Sequence, residues 1–325
     1  MLYKNYDKKP ILYMAVGLPG SGKSTYCQQL RTNGVIIHSS DTLREELYGD
    51  ANNQEHNQDL FVELHRRIKK DLIDGHSVVY DATNLSKKRR TAFLAELKNI
   101  SCQRICLLFL TPFELCCMFN QAREERVVPG YVMDRMYKNF NPPNYREGFD
   151  NIELIYNYGG AGKNAYPYYD YQTFMYGEDG AIHFNQENKH HQLTLGQHCI
   201  ATAEYVSRLS HPNWRLKVAA LLHDNGKIYT KSYINSKGEK DGDCHYYQHH
   251  CVGAYDAFFF MDRDNFNVDI SDDDRIYISN LIYYHMMPYT SWKQSEKAKA
   301  KDRVQMGEEM YHDVIHLHNA DDAAH

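Results

Sequence analysis

The chain has no pair of cysteines spaced C-x-x-C. Its eight cysteines, Cys27, Cys102, Cys106, Cys116, Cys117, Cys199, Cys244 and Cys251, fall largely in apolar runs. That usage argues against a cysteine zinc site and against a disulfide framework, and fits reduced thiols in a cytoplasmic protein. Also missing are an apolar run of about 18 residues, a signal peptide and a lipidation motif, so no membrane role is expected. Positive charge is not in excess: 37 Lys and Arg stand against 42 Asp and Glu, a formal net charge of −5. A grossly basic nucleic-acid coat is excluded, while a local basic groove is not. Repeats and low-complexity blocks do not stand out. What is plentiful is tyrosine, at 27, and histidine, at 18, and most of the histidines follow residue 180. A length of 325 residues leaves room for two domains, each with its own core.

The strongest local pattern is Gly17-Leu18-Pro19-Gly20-Ser21-Gly22-Lys23-Ser24-Thr25, which fits G-x-x-x-x-G-K-[ST] from Gly17 to Ser24. Glycines there let successive backbone N–H groups turn inward around an anion, where a Cβ would obstruct them. Lys23 adds a charge for the β- and γ-phosphates, and the Ser24 hydroxyl can take a Mg²⁺ position. The flanks agree. Residues 11–16 are an apolar run suited to a buried strand, and Tyr26 to Leu30 can continue a helix whose N-terminus faces the anion. This predicts a site for ATP or another NTP with Mg²⁺, contacted by Gly17, Gly20, Ser21, Gly22, Lys23, Ser24 and Thr25.

Residues 1–158 alternate apolar runs with amphipathic stretches, the pattern of an α/β domain with a parallel sheet and flanking helices. Strands are expected at 35–38, 77–80, 104–110 and 152–156. Helices are expected at 56–74, from Ser86 to Lys98, after Pro112 and after Pro129. Residues 159–187 lose all period and read as a tyrosine-rich linker. From 188 to 325 helices dominate, predicting an all-α domain. Lys293 to Arg303 is a polar, lysine-rich stretch within it.

Candidates for chemistry at the first site stand at the carboxyl ends of strands. Asp41, three residues before Arg44, can orient or deprotonate an acceptor hydroxyl while Arg44 holds an acceptor phosphate. Alternatively, Ser40 or Asp41 caps a helix starting at Thr42. Asp81, Thr83 and Asn84 end the next strand as a polar turn or as substrate contacts. Arg123 and Arg126 close the helix begun at Pro112, either screening its C-terminus or folding over phosphates as a lid. Of the basic clusters, 66–70 reads as a solvated helix face, while Arg89 and Arg90 oppose a helix dipole and could face phosphates.

Taken together, the P-loop, Ser39-Ser40-Asp41-Thr42-Leu43-Arg44, Asp81-Ala82-Thr83-Asn84 and Arg123-Glu124-Glu125-Arg126-Val127-Val128-Pro129 resemble the 5′-hydroxyl polynucleotide kinase family over roughly residues 8–155. The resemblance implies that Asp41 activates a 5′-OH, that Arg44 binds the acceptor's 3′ phosphate, and that Lys23 and the lid arginine Arg123 act on the donor phosphates. The family's other lid arginine falls near Phe119, with Arg126 as a possible replacement.

In the second half, polar residues appear where apolar ones are expected. Leu195, His198, Thr202, Val206 and Leu209 share one helical face; Ile278, Leu281 or Ile282, and His285 share another. Val314, Leu317 or His318, and Asp321 form a third. The apolar run from Trp214 to Leu222 leads into His223-Asp224, with Gly226 placed to end the helix. His249 adds a fifth segment. Two carboxylates buried among several histidines are most economically satisfied by metal, and this donor set suits Mn, Fe, Co, Ni or Zn. The spacing leaves His250, His245 and His191 as neighbouring candidates.

The order His198, His223-Asp224, His249, His285, Asp321 resembles the HD phosphohydrolase superfamily, an all-helical fold, over about residues 188–325. The resemblance implies one metal on His198, His223, Asp224 and Asp321, and in two-metal members a second on His249 and His285 with Asp224 bridging. Lys227 would contact a substrate phosphate. The pairing of domains resembles bifunctional end-healing enzymes. It implies RNA or DNA ends with 5′-OH and 2′,3′-phosphate as partners, and a separate ligase. In the related enzymes the HD domain comes first, whereas here it follows. The phosphatase motif D-x-D-G-[TV] of the other kinase–phosphatases is missing here. Two alternatives stand beside this reading. One is a small-molecule kinase fused to an HD nucleotidase or phosphodiesterase; the other is a nucleotide-sensing regulatory protein.

Overall fold

The computed structural model describes residues 9–124, 126–160, 162, 165–188, 192–211 and 213–324. The chain divides into two compact units, residues 1–136 with 143–160, and residues 137–142 with 161–325.

In the first unit, short apolar runs form a wholly parallel sheet in the order β2-β3-β1-β4-β5. The strands are β1 (Ile11–Val16), β2 (Ile36–Ser39), β3 (Val78–Asp81), β4 (Gln103–Leu110) and β5 (Asn151–Tyr156). β1 pairs with β3 on one side and β4 on the other. The sheet direction therefore switches beside β1, where the loop 17–22 emerges and where such sheets bind ligands. β3 and most of β4 are buried, as expected for strands covered on both faces. The covering helices are α1 (Lys23–Arg31), α2 (Ser40–Tyr48), α3 (Asn57–Ile73), α4 (Lys87–Glu96), α5 (Phe113–Gln121) and α6 (Gly130–Tyr137). α3 buries Leu60, Leu64, Ile68 and Leu72, a four-residue stripe on one face. Each such side chain stabilises by about 1.5–3 kcal/mol, and Leu64→Ala would cost about 2–5 kcal/mol.

The second unit is helical: α7 (Tyr171–Tyr176), α8 (Leu195–Ser207), α9 (Trp214–Leu222), α10 (Lys227–Thr230), α11 (His249–Phe260), α12 (Arg263–Phe266), α13 (Asp272–Tyr284), α14 (Ser291–Gln294), α15 (Glu296–Met306) and α16 (Glu308–Ala323). α11 is buried almost all round, the signature of a central helix. Capping boxes start α8, at Thr194 with Gln197, and α13, at Ser271 with Asp274. From Tyr166 the tyrosine-rich stretch packs within this unit. Tyr169 and Tyr171 are buried, with their rings 4.7 Å from Phe259 and 5.0 Å from Phe266. Among the described residues no helix is long and apolar enough to cross a membrane.

Candidate functional sites

The loop after β1 closes as a nest. Gly20 and Gly22 adopt φ of 80° and 88°, left-handed conformations that favour glycine. At Gly20 a Cβ would also press into the Cys116 carbonyl, so α5 seats the loop from below. Lys23 is buried and donates to the Leu18 carbonyl at 2.7 Å. Burial pushes its pKa down to about 8, with Asp81 opposing and the Arg123 charge adding to the fall. Ser24 donates to Asp81 at 2.9 Å, placing a hydroxyl and a carboxylate where Mg²⁺ and triphosphate would meet. Thr25 is exposed on α1.

Asp41 stands in the first turn of α2. The helix starts at Ser40, and Ser39, not Ser40 or Asp41, is the cap: its hydroxyl accepts from the Asp41 N–H at 3.3 Å. The Asp41 carboxylate is thereby left for other work. It accepts from Arg44 Nη1 at 3.0 Å and from Arg126. Arg44 is buried, its Nη2 donates to Asn57 at 2.9 Å, and its Nε has no hydrogen-bond partner. A buried N–H left unmatched costs about 1–3 kcal/mol, so the Arg44 Nε is a candidate donor to a bound acceptor. Asn57 carried no sequence signal, because its role depends on a contact 13 residues away.

Several sequence expectations resolve differently. Arg123 and Arg126 lie beyond α5, which ends at Gln121, so neither screens its last turn. Arg126 bears on Asp41, while Arg123 acts on Lys23. Phe119 lies beside Gly159. Asn84 is a strap, donating to the Ala15 carbonyl at 2.9 Å. Arg90 does not face phosphates. It is buried in a bidentate pair with Glu147, at 2.7 and 2.8 Å, and also donates to the Asn84 and Leu85 carbonyls. The 66–70 cluster is a surface network, as expected, with Glu46, Glu63, Glu96 and Asp74.

In the helical unit, five segments bring His198, His223, Asp224, His249, His285 and Asp321 together, all buried. The histidine Nδ1 atoms face backbone carbonyls: His223 to Ala220 at 2.8 Å, His249 to Tyr246 at 2.7 Å, His285 to Ile282 at 2.6 Å and His198 to Ala324 at 3.4 Å. A carbonyl only accepts, so each Nδ1 carries a proton and each Nε2 turns inward, where it can offer a lone pair to a metal. The Nε2 atoms meet in two couples, His198 with His223 and His249 with His285, each at 3.2 Å.

Two ring nitrogens at that distance are held together by a proton or a metal ion between them. Asp224 divides itself between the couples. Oδ2 stands 3.5 and 3.4 Å from the Nε2 atoms of His198 and His223. Oδ1 stands 3.2 and 3.7 Å from those of His249 and His285. Asp321 joins the first couple, 2.9 Å from His198 and 3.6 Å from His223. Donors at 2.0–2.1 Å from a tetrahedral ion stand about 3.3 Å apart, so the spacing fits metal. His198, His223 and Asp224 group as donors for one ion, with Asp321 beside them, and Asp224, His249 and His285 group for another.

Electrostatics agree. Burial pushes His223 down, but Asp224 and Asp321 outweigh it and hold its pKa well above the ordinary value. Burial pushes Asp224 up, yet Lys227 and His223 hold it well below the carboxylate range. The carboxylates therefore favour positive charge at the first couple, while burial, then His249 and His223, hold His285 well below its ordinary value. Lys227 donates to Asp224 at 2.7 Å and to Gln186 at 2.8 Å. Gln186, fully buried, was not legible from motifs, since 41 residues separate it from its partner.

Gly226 does not end a helix as expected. Its φ of −67° is ordinary, and it starts α10. A Cβ there would lie 2.7 Å from Gly253 N and closer still to the His249 carbonyl, so this glycine permits backbone contact with α11. The chain enters α11 through Gln248 at φ 65°, an unfavourable conformation for a residue with a side chain. His245 pairs with Asp241 at 3.0 Å on the surface and takes no part in the cage. His250 packs beside His249 outside the donor groups, and burial, then His249, push its pKa down to about 3. His191 lies outside the described residues.

Residues 12–143 match the AAA domain family, and residues 195–306 match the HD domain family. A search of curated proteins gave no match. Among solved structures, a protein assigned as a kinase from Chloroflexus aurantiacus J-10-fl aligns at 15% identity, covering 48% of this chain and 94% of that one, with a TM-score of 0.39. A chain of a Pnkp1/Rnl/Hen1 complex aligns at 21% identity over 39% of this chain and 44% of its own, TM-score 0.32. A gluconokinase from Sinorhizobium meliloti 1021 aligns at 15% over 45% and 82%, TM-score 0.33. At these scores the likenesses do not bear on activity. The chain joins a P-loop domain of the AAA type, at residues 12–143, to an HD domain at residues 195–306.

Proposed function

We propose that this protein heals broken polynucleotide ends, phosphorylating 5′-OH termini from an NTP and removing 2′,3′-cyclic, 2′- or 3′-phosphate at its HD site. The observation that carries the reading is Arg44: a buried guanidinium with an unpartnered Nε, held beside the Asp41 carboxylate. An acceptor whose hydroxyl meets Asp41 and whose neighbouring phosphate meets Arg44 is a 5′-OH nucleotide carrying a 3′ phosphate, as at a strand end. A bare nucleoside or sugar would leave that N–H unmatched.

In the kinase half, Lys23 leaves the Leu18 carbonyl for the β- and γ-phosphates, and Ser24 with Asp81 would hold Mg²⁺, which offsets phosphate charge. Asp41 accepts the 5′-OH proton as that oxygen bonds to the γ-phosphorus and the bond to the NDP oxygen breaks. Arg126 must first release Asp41; with Arg123 it then serves the donor phosphates. In the HD half, His198, His223, Asp224, Asp321, His249 and His285 would hold one or two transition-metal ions. When bound, these would polarise the phosphoryl group and supply hydroxide near neutral pH. Lys227, turned from Gln186, donates to a non-bridging phosphate oxygen.

The deciding experiment is product analysis on a nicked RNA hairpin bearing a 5′-OH and a 2′,3′-cyclic phosphate, beside a nucleoside, each with γ-labelled ATP. Label on the RNA 5′ end and loss of the cyclic phosphate are expected. Label entering the nucleoside alone would overturn the proposal in favour of a small-molecule kinase.

A further inference from the structure

The cage leaves unexplained the most lysine-rich stretch of an acidic chain. Between Ser291 and Arg303 stand Lys293, Lys297, Lys299, Lys301 and Arg303, against Glu296 and Asp302. Arg303 is occupied, paired with Glu308 at 2.6 Å and stacked on Tyr311. The lysines differ. Among the described residues, none of Lys293, Lys297, Lys299 and Lys301 has a carboxylate within ion-pair distance, and Lys293, Lys297 and Lys301 are exposed. By contrast, Lys69 and Lys70 on α3 each have an acidic partner.

The platform under these lysines is fixed. Trp292 is buried, stacks 5.6 Å from Tyr311 of α16 and donates to Asp302 at 2.8 Å. Ser295 caps α15 by accepting from the Ala298 N–H. Lys297 and Lys301, four residues apart, project from one side of α15. The stretch also leaves directly from the cage. His285 is a cage residue, and the Tyr289 ring lies 4.3 Å from His318, three residues before Asp321. Lys293 follows Tyr289 by four residues, at most about 14 Å of chain.

Building on the end-healing reading, we infer that Lys293, Lys297 and Lys301 form a track for the sugar–phosphate backbone of the single strand whose 3′ end is processed in the cage. The chemistry recognised is a row of phosphodiesters, not a base sequence, because ammonium groups are point charges without a planar donor fork. The track gives the HD site a preference for strand ends over mononucleotides, which present no second phosphate to it.

The test uses the full chain with Lys293→Ala, Lys297→Ala and Lys301→Ala combined. The probes are a 20-nucleotide RNA ending in a 2′,3′-cyclic phosphate and a nucleoside 2′,3′-cyclic monophosphate. Expected are RNA binding weakened by about 10–100-fold at low salt and a log–log salt slope shallower by about 2, at roughly 0.7 per lost contact on a single strand. Turnover of the mononucleotide should be unchanged, which also shows an intact fold. A control with Lys237→Ala and Lys240→Ala, exposed lysines of the same unit, should bind as wild type. An unchanged slope and affinity in the triple variant, or an equal loss in the control, overturns the track alone. A wild-type chain without salt-dependent RNA binding overturns the end-healing reading and the track together.

Discussion

Replacing Gly226 with alanine should split the histidine–aspartate cage without replacing any ligand. The new Cβ would start 2.7 Å from Gly253 N and nearer still to the His249 carbonyl, where ordinary contacts lie at 3.4–4 Å. Both neighbours are backbone of a buried helix, so they cannot rotate away, and the segments must part by about 1 Å, an overpacking cost of about 1–3 kcal/mol. His223 and Asp224 precede this contact and His249 begins α11 beyond it, so the separation falls between the two halves of the cage. Asp224 Oδ1 now stands 3.2 Å from His249. Metal sites tolerate about 0.2 Å, so the three-donor position should fail while His198, His223, Asp224 and Asp321 keep theirs. Elemental analysis of the purified variant should show the loss of metal from that position relative to wild type, with phosphate removal down about 100-fold. Phosphorylation by the P-loop unit, assayed in the same tube, should be unchanged. Wild-type metal content and wild-type phosphate removal in G226A would refute the reasoning.

Other outcomes follow from the same geometry. Asp224→Ala should abolish metal retention and phosphate removal alone, and Lys23→Ala phosphorylation alone; loss of both activities from either change would show that the sites are not independent. Lys23 has a depressed pKa of about 8 in the free protein, and triphosphate should raise it, so ATP binding should take up a proton. At pH 8.5 the uptake should approach three-quarters of a proton, falling to about a tenth at pH 7. Calorimetry in buffers of different ionisation enthalpy reads this, and Lys23→Met should remove it. The same burial opposes stability below pH 8, and the penalty fades as pH rises toward 10.5. Glu147→Gln leaves the Arg90 guanidinium buried without its counter-charge and should cost about 3–5 kcal/mol, lowering the melting temperature by about 10 °C. A variant melting like wild type would refute that buried role.

The features legible in the sequence share a physical property: their meaning is local. The P-loop needs its glycines within one turn. The helical stripes carrying His198, His285 and Asp321 reveal themselves by polar residues at apolar positions. Strand runs such as 104–110 appear as β4 with a shift of one residue. The misreadings concern partners distant in the chain. By sequence Gly226 reads as a helix stop because the backbone it touches lies 23 to 27 residues away. Arg90 reads as phosphate-facing because Glu147 is 57 residues on. Gln186, Asn57 and the grip of Arg126 on Asp41 have no periodic or motif signature, since side-chain pairing across a fold leaves none.

The carbonyl anchors of the four cage rings differ in one respect. His223, His249 and His285 each turn on the residue three before, whereas His198 relies on Ala324, 126 residues downstream. Three rings are thus aimed as soon as their own turns form, but the fourth gains its anchor only when the end of α16 folds back. Displacing that last turn would disturb His198 through its anchor and, through Asp321, His223 as well. Cation uptake during refolding should accordingly lag behind helix formation, reporting the moment the last turn docks.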